Sequence, residues 1–64
     1  MITRLRIRLL EAGVPQYRVA AAAGMHPSTL SEYALGKQID MRHAVPLCEV
    51  LHCELEDLIG FVEE

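Results

Sequence analysis

Apolar residues recur at helical spacing through most of this chain, and the breaks between periodic stretches fall on glycine, proline and short polar runs. Between Thr3 and Ala12, Leu5, Leu9 and Ala12 form one stripe, with Ile2 before it and Leu10 widening it, while Arg4, Arg6, Arg8 and Glu11 supply the polar faces. The pattern predicts a first helix stopped by Gly13, then a Val14-Pro15 connection, proline being well tolerated at a helix entrance. A second, short helix is predicted from Gln16 to Ala23; its alanines favour the helix and let a neighbour approach closely. Gly24 suits the left-handed turn that ends it, and Met25 is an apolar plug for the angle that follows.

Pro27 fits the first turn of a third helix with His26 as its cap. Leu30 and Tyr33 fall on one face of it, Ser28, Thr29 and Glu32 on another, and Gly36 closes it. Beyond the polar KQID loop a fourth segment runs to about Leu51, with Asp40 as N-cap and Leu47, Val50 and Leu51 turned inward. Pro46 lies well inside that segment and is expected either to kink it or to delay its start to about Ala44. ELEDLIGF reads as a final short helix that buries Leu55, Leu58 and Ile59 and keeps Glu54, Glu56 and Asp57 at its N-terminal end, where acids suit the helix dipole. The expected fold is all-α, five helices and no strand.

At 64 residues and 7.2 kDa the chain has room for one small domain, residues 1–64, near the lower limit for a single core. A hydrophobic fraction of 52% with only 5% aromatic residues implies a core of Leu, Ile, Val and Ala with apolar surface to spare, so self-association is expected. No apolar run approaches the roughly 20 residues that span a bilayer, so a soluble, cytoplasmic protein with no membrane partner is expected. The basic, amphipathic MITRLRIRLL is read as the first helix and not as a transit peptide, because its removal would take a large share of a minimal domain.

Cys48 and Cys53 lie five apart in a helix-like segment, where they would point in different directions. They are read as unbridged, small apolar core residues in a reducing compartment. Cys48 and His52 share a helical face, but Cys53 points elsewhere and no CxxC occurs, so neither a metal site nor a cofactor is expected. No paired carboxylate or nucleophile-base spacing suggests an enzyme.

Two short helices around a glycine turn, the second opening with small hydroxyl residues, form the helix-turn-helix pattern in QYRVAAAAGMHPSTLSEYALGK. The chain resembles the Cro/cI-type helix-turn-helix (XRE) family over nearly its full length. Gln16, Ala20, Gly24, Met25, the run Ser28-Thr29-Leu30-Ser31 and the exit Gly36-Lys37 stand where that family has equivalents. LCEVLHCELEDLIGFVEE resembles the closing segment of one subgroup, both cysteines included. The resemblance implies a compact five-helix lambda-repressor-like DNA-binding domain. The family commonly pairs a base at the position of Leu9 with an acid at that of Ala34. Joint replacement by apolar residues avoids stranding a buried charge, and predicts that Leu9 and Ala34 lie together in the core.

The net charge of −3 conceals a polarised distribution. From Met1 to His43 six bases face three acids, a net of +3, and from Ala44 to Glu64 there are six acids and no base. Arg18, Lys37 and Arg42 are expected on DNA phosphates; Arg4, Arg6 and Arg8 either join them or are solvated surface residues. By resemblance, Gln16 meets a phosphate at the start of the second helix, with Tyr17 beside it. A recognition helix from Pro27 to Leu35 directs His26, Pro27, Ser28, Thr29 and Glu32 toward the major groove. Pro27 can offer a thymine methyl an apolar contact, and Glu32 either accepts from cytosine N4 or repels phosphate. Ser28 and Thr29 either touch bases or hydrogen-bond at the helix N-terminus. His26 would strengthen phosphate contact if it gained charge on mild acidification.

The resemblance thus implies a sequence-specific transcriptional regulator, by default a repressor, bound as a homodimer to a double-stranded DNA operator. Ile59, Phe61 and Val62 either form the dimer surface or pack within one subunit. The competing reading is a protein-interaction module, such as an antitoxin or small phage regulator, that acts through a partner protein.

Overall fold

Thr3 both starts the first helix and ties it to the third. In the computed structural model, which describes residues 1–63, the buried Thr3 Oγ1 accepts from the Arg6 N–H at 3.1 Å and donates to the Ala34 carbonyl at 2.6 Å. The first bond caps α1 (Arg4–Ala12) and the second satisfies a carbonyl at the last turn of α3 (Pro27–Ala34), where helices leave acceptors without partners. Between them lies α2 (Gln16–Ala23), and after a loop comes α4 (Met41–Leu51).

The described residues thus contain four α-helices, not five. The segment expected to form the fifth makes only a single 3-10 turn, Leu55–Asp57, and Gly60, at φ 86°, ends any helical path. The expectation of no strand also fails: β1 (Ile2–Thr3) pairs antiparallel with β2 (Phe61–Val62), Ile2 opposite Val62 and Thr3 opposite Phe61. That pairing joins the two ends of the described chain, and a pattern read within short windows carries no sign of it. Pro46 does not delay α4, whose N-cap Asp40 accepts from the Arg42 N–H at 3.0 Å. As the sixth residue of the helix it leaves the Arg42 carbonyl without its helical donor, and Arg42 is exposed, so water can serve instead.

The core is one cluster. Leu5 and Leu9 of α1, Val19, Ala20 and Ala23 of α2, Leu30, Tyr33 and Ala34 of α3, and Leu47 of α4 meet Met25 and Leu58. Leu9 and Ala34 both belong to it, as their joint apolar exchange predicts. The alanines of α2 let α4 pack against it more extensively than any other pair of elements does. Each fully buried leucine in such a core contributes about 1.5–3 kcal/mol, and Leu5, Leu30 and Leu47 are fully buried. Among the described residues no helix is long and apolar enough to cross a membrane.

Candidate nucleic-acid interface

The angle between α2 and α3 is set at Gly24. Its φ of 76° is left-handed, its N–H bonds the Ala21 carbonyl at 3.1 Å, and the Met25 N–H bonds the Ala20 carbonyl at 2.9 Å. This is the six-residue closure that satisfies the last carbonyls of a helix and turns the chain sharply. Met25, 8% exposed, fills the corner from inside.

Pro27 then opens α3 in the position where its missing N–H costs nothing. The cap is His26, whose Nδ1 accepts from the Ser28 N–H at 3.1 Å and lies 2.7 Å from Ser28 Oγ. The cap requires this nitrogen to act as the acceptor. Leu30, Tyr33 and Ala34 face the core, while His26, Pro27, Ser28 and Glu32 are exposed and Thr29 is half-buried. Ser28 accordingly offers more of itself to a ligand than Thr29 does.

Gln16 stands at the start of α2, and Ser31 Oγ donates to its Oε1 at 3.3 Å. This bond joins the two helices and engages the oxygen end of the carboxamide, leaving the Nε2 donors for an anion. Tyr17, 58% exposed, and the exposed Arg18 follow on the same helix. Behind α3, Tyr33 Oη and His43 Nδ1 lie 2.7 Å apart, a bond between α3 and α4 that helical spacing did not suggest.

Two of the three expected phosphate cations are engaged within the chain. Lys37 Nζ lies 2.9 Å from Glu32 Oε2, and that hydrogen bond, with the carboxylate's charge, raises the lysine above its ordinary pKa. Arg42 Nε lies 3.2 Å from Asp40 Oδ2, the same carboxylate that caps α4. Both pairs face solvent, where such contacts are weak and readily exchanged. Arg18 enters no ion pair among the described residues. Arg8 lies 3.4 Å from Asp57, so one helix-one arginine serves the fold. The Glu54 N–H, first, and the Arg8 guanidinium, second among favourable partners, hold the Asp57 carboxyl below the usual range.

The residues proposed for a dimer surface divide. Ile59 and Phe61 are half-exposed, whereas Val62 is partly buried in the ribbon opposite Ile2. The Phe61 ring covers Gly36, where an added Cβ would meet Cζ at 3.2 Å. Beside it a groove of about 290 Å³ is lined by Tyr33, Ile39, Met41, Leu58, Ile59 and Phe61, among others. Leu35 and Met41, 76% and 60% exposed, extend this apolar surface, which the amphipathic pattern alone did not single out.

The cysteines depart from expectation. The helix ends at Leu51 because His52 adopts a left-handed φ of 53°, and the Cys53 N–H returns to the Cys48 carbonyl at 3.1 Å. Cys53 is therefore off the helix, and the divergence expected from helical spacing does not hold. Both residues are half-buried against the core, and burial is the main influence raising both thiols. Each thiol also lies close enough to perturb the other's ionisation.

A capped, outward-facing helix beginning behind a glycine turn, with an amide donor and an arginine on the helix before it, can read a groove and grip its phosphates. No curated protein and no solved structure matches the chain. The family model for the Cro/C1-type HTH DNA-binding domain matches residues 4–64, which takes in both helices, the turn and the C-terminal segment. The chain therefore belongs to the Cro/C1-type helix-turn-helix (XRE) family of non-catalytic DNA-binding domains.

Proposed function

We propose that this chain, acting as one unit over residues 1–64, is a cytoplasmic transcriptional repressor that binds a short two-fold operator as a homodimer with α3 in the major groove. The observation that carries the reading is the division of α3, whose Leu30, Tyr33 and Ala34 are buried while His26, Pro27, Ser28 and Glu32 are exposed. Base contacts fall to Ser28, Pro27, His26 and Glu32, with Thr29 at the edge. Phosphate contacts fall to Gln16, Tyr17 and Arg18, joined by Lys37 and Arg42 once they exchange their carboxylate partners for phosphate. Glu32 is released by the same exchange and becomes free to accept from a cytosine amine. Occupying a promoter is sufficient for repression and requires no second domain. Ile59 and Phe61, with Val62 at their margin, supply the surface for the second copy. A dimer of this motif sets its half-sites about one helical turn apart.

Enrichment of random duplex DNA on the purified protein, with a salt titration on the selected sequence, tests the reading. A palindrome with two short half-sites is expected, and each phosphate contact contributes about −0.9 to the slope of log affinity against log salt. Lys37→Ala should lower that slope by about 1 per subunit. Phe61→Glu should give a folded monomer by sedimentation, and a folded variant that stays dimeric would reject the assigned surface. One observation favours a second reading: Leu35, Met41, Ile59 and Phe61 form an exposed apolar surface in a chain whose last third is acidic. No enrichment from folded protein, with salt-insensitive pairing to another protein, would establish a protein-interaction module in place of the repressor.

A further inference from the structure

The end of α4 repeats the geometry of the end of α2, with cysteines at its two closing positions. In this six-residue closure the residue after the left-handed one donates its N–H to the carbonyl five positions back, and the side chains of those two residues commonly touch. At the first turn the pair is Met25 and Ala20; at the second it is Cys53 and Cys48, joined by a bond of 3.1 Å. Disulfides need Cα atoms within roughly 4.4–6.8 Å; the backbone bond across this closure brings its two ends near one another, and the two thiols lie close enough to perturb each other's ionisation. Neither cysteine lies on α2 or α3, so the pair stands apart from the proposed reading face.

We propose that Cys48 and Cys53 form a reversible dithiol-disulfide site that is oxidised by low-molecular-weight disulfides. In the first step one protein thiolate attacks one sulfur of the oxidant; the oxidant's S–S bond breaks as a mixed disulfide forms, and the departing thiolate takes up a proton. In the second, the other protein thiolate attacks the protein sulfur of the mixed disulfide and expels the second thiol. Two protein thiols are oxidised and one disulfide is reduced to two thiols, a two-electron exchange in balance. Burial slows both steps by holding the protons on the sulfurs. The Arg8 guanidinium favours the Cys53 thiolate, the hydrogen bond between the two thiols favours that of Cys48, and Asp57 opposes both, so either sulfur can attack first. The bridge would clamp the junction between α4 and the segment that carries Leu58, Ile59 and Phe61. This inference is independent of DNA binding.

The test equilibrates the full chain at low concentration with mixtures of reduced and oxidised glutathione, once under folding conditions and once in denaturant, and follows mass and free thiols. Because the fold already holds the thiols together, the equilibrium constant for the internal bridge should be at least about tenfold larger in the folded chain. The product should be a monomer lighter by two hydrogens, and Cys53→Ser should give only the Cys48-glutathione adduct. An equal or smaller constant in the folded chain would overturn the proposal. So would a folded chain that accumulates glutathione adducts or covalent dimers in place of the bridge.

Discussion

Two helices of this chain end in the same turn, and only one of them announces it. After α2 the left-handed residue is Gly24, at φ 76°; after α4 it is His52, at φ 53°. Glycine enters that conformation without penalty, whereas an L-residue with a Cβ costs roughly 1–2 kcal/mol there. The difference follows from what each turn serves. The first sets the angle between the two helices of the DNA-binding motif and is built from local parts. The second is held from outside, by Leu58 in the core and by β2 on β1, and tolerates a residue that carries a Cβ.

The strongest challenge to this contrast is to delete one core leucine from each side. Leu30→Ala in α3 and Leu58→Ala beyond the second turn should each cost about 2–5 kcal/mol, enough to leave a domain of this size largely unfolded, as urea titration would show. A cost at Leu58 well under that at Leu30 would make the C-terminal segment a loosely attached cover and would break the account of how the second turn is held.

Thr3→Val comes next. It keeps the shape but removes both the cap of α1 and the donor to the Ala34 carbonyl. A loss of about 1–3 kcal/mol is expected in thermal unfolding. A neutral result would mean that water reaches the last turn of α3 as readily as it reaches Arg42.

The turns themselves follow. Gly24→Ala meets no atom within 4 Å of the new Cβ, so its cost of about 1–2 kcal/mol is conformational alone. His52→Gly should do the reverse and gain up to about 1 kcal/mol. Opposite signs in one melting series would sharpen the comparison, and equal signs would dissolve it.

The smallest effect is that of acid. Asp57 has its carboxyl lowered in the folded state by the Glu54 N–H and by Arg8. Its stabilisation is complete above the carboxyl's unfolded value and fades as pH falls through the depressed folded one. Asp57→Asn should flatten this acid-side loss slightly in pH-dependent melting and lower neutral-pH stability by the same small amount.

Sequence legibility follows the same line. Gly13, Gly24, Pro27 and Asp40 each act through their own backbone or side chain, and the helices they bound lie where the pattern places them. The amphipathic face of α3 also sorts correctly, whereas on α1 only Leu5 and Leu9 of the expected stripe are buried, Leu10 and Ala12 being exposed. What local reading lost depends on distant partners. Phe61 and Val62 become a strand only because Ile2 and Thr3 lie alongside, and Cys53 leaves the helix at the left-handed His52. At the candidate interface the exposed residues of α3 were legible from their phase. The Lys37-Glu32 and Arg42-Asp40 pairs were not, because sequence shows charges and not which acid each cation chooses.

The small ribbon also bears on the order in which the chain assembles. Ile2 and Val62 are separated by 60 positions, so their pairing closes almost the whole described chain into a loop. Such closure is slow to form directly, yet each doubling of a loop's length adds only about 0.6 kcal/mol to its cost. Once the four helices have condensed, they have already shortened the path between those ends. The ribbon is then a latch that zips last and should exchange its amide hydrogens first, opening while the helices behind it stay shut.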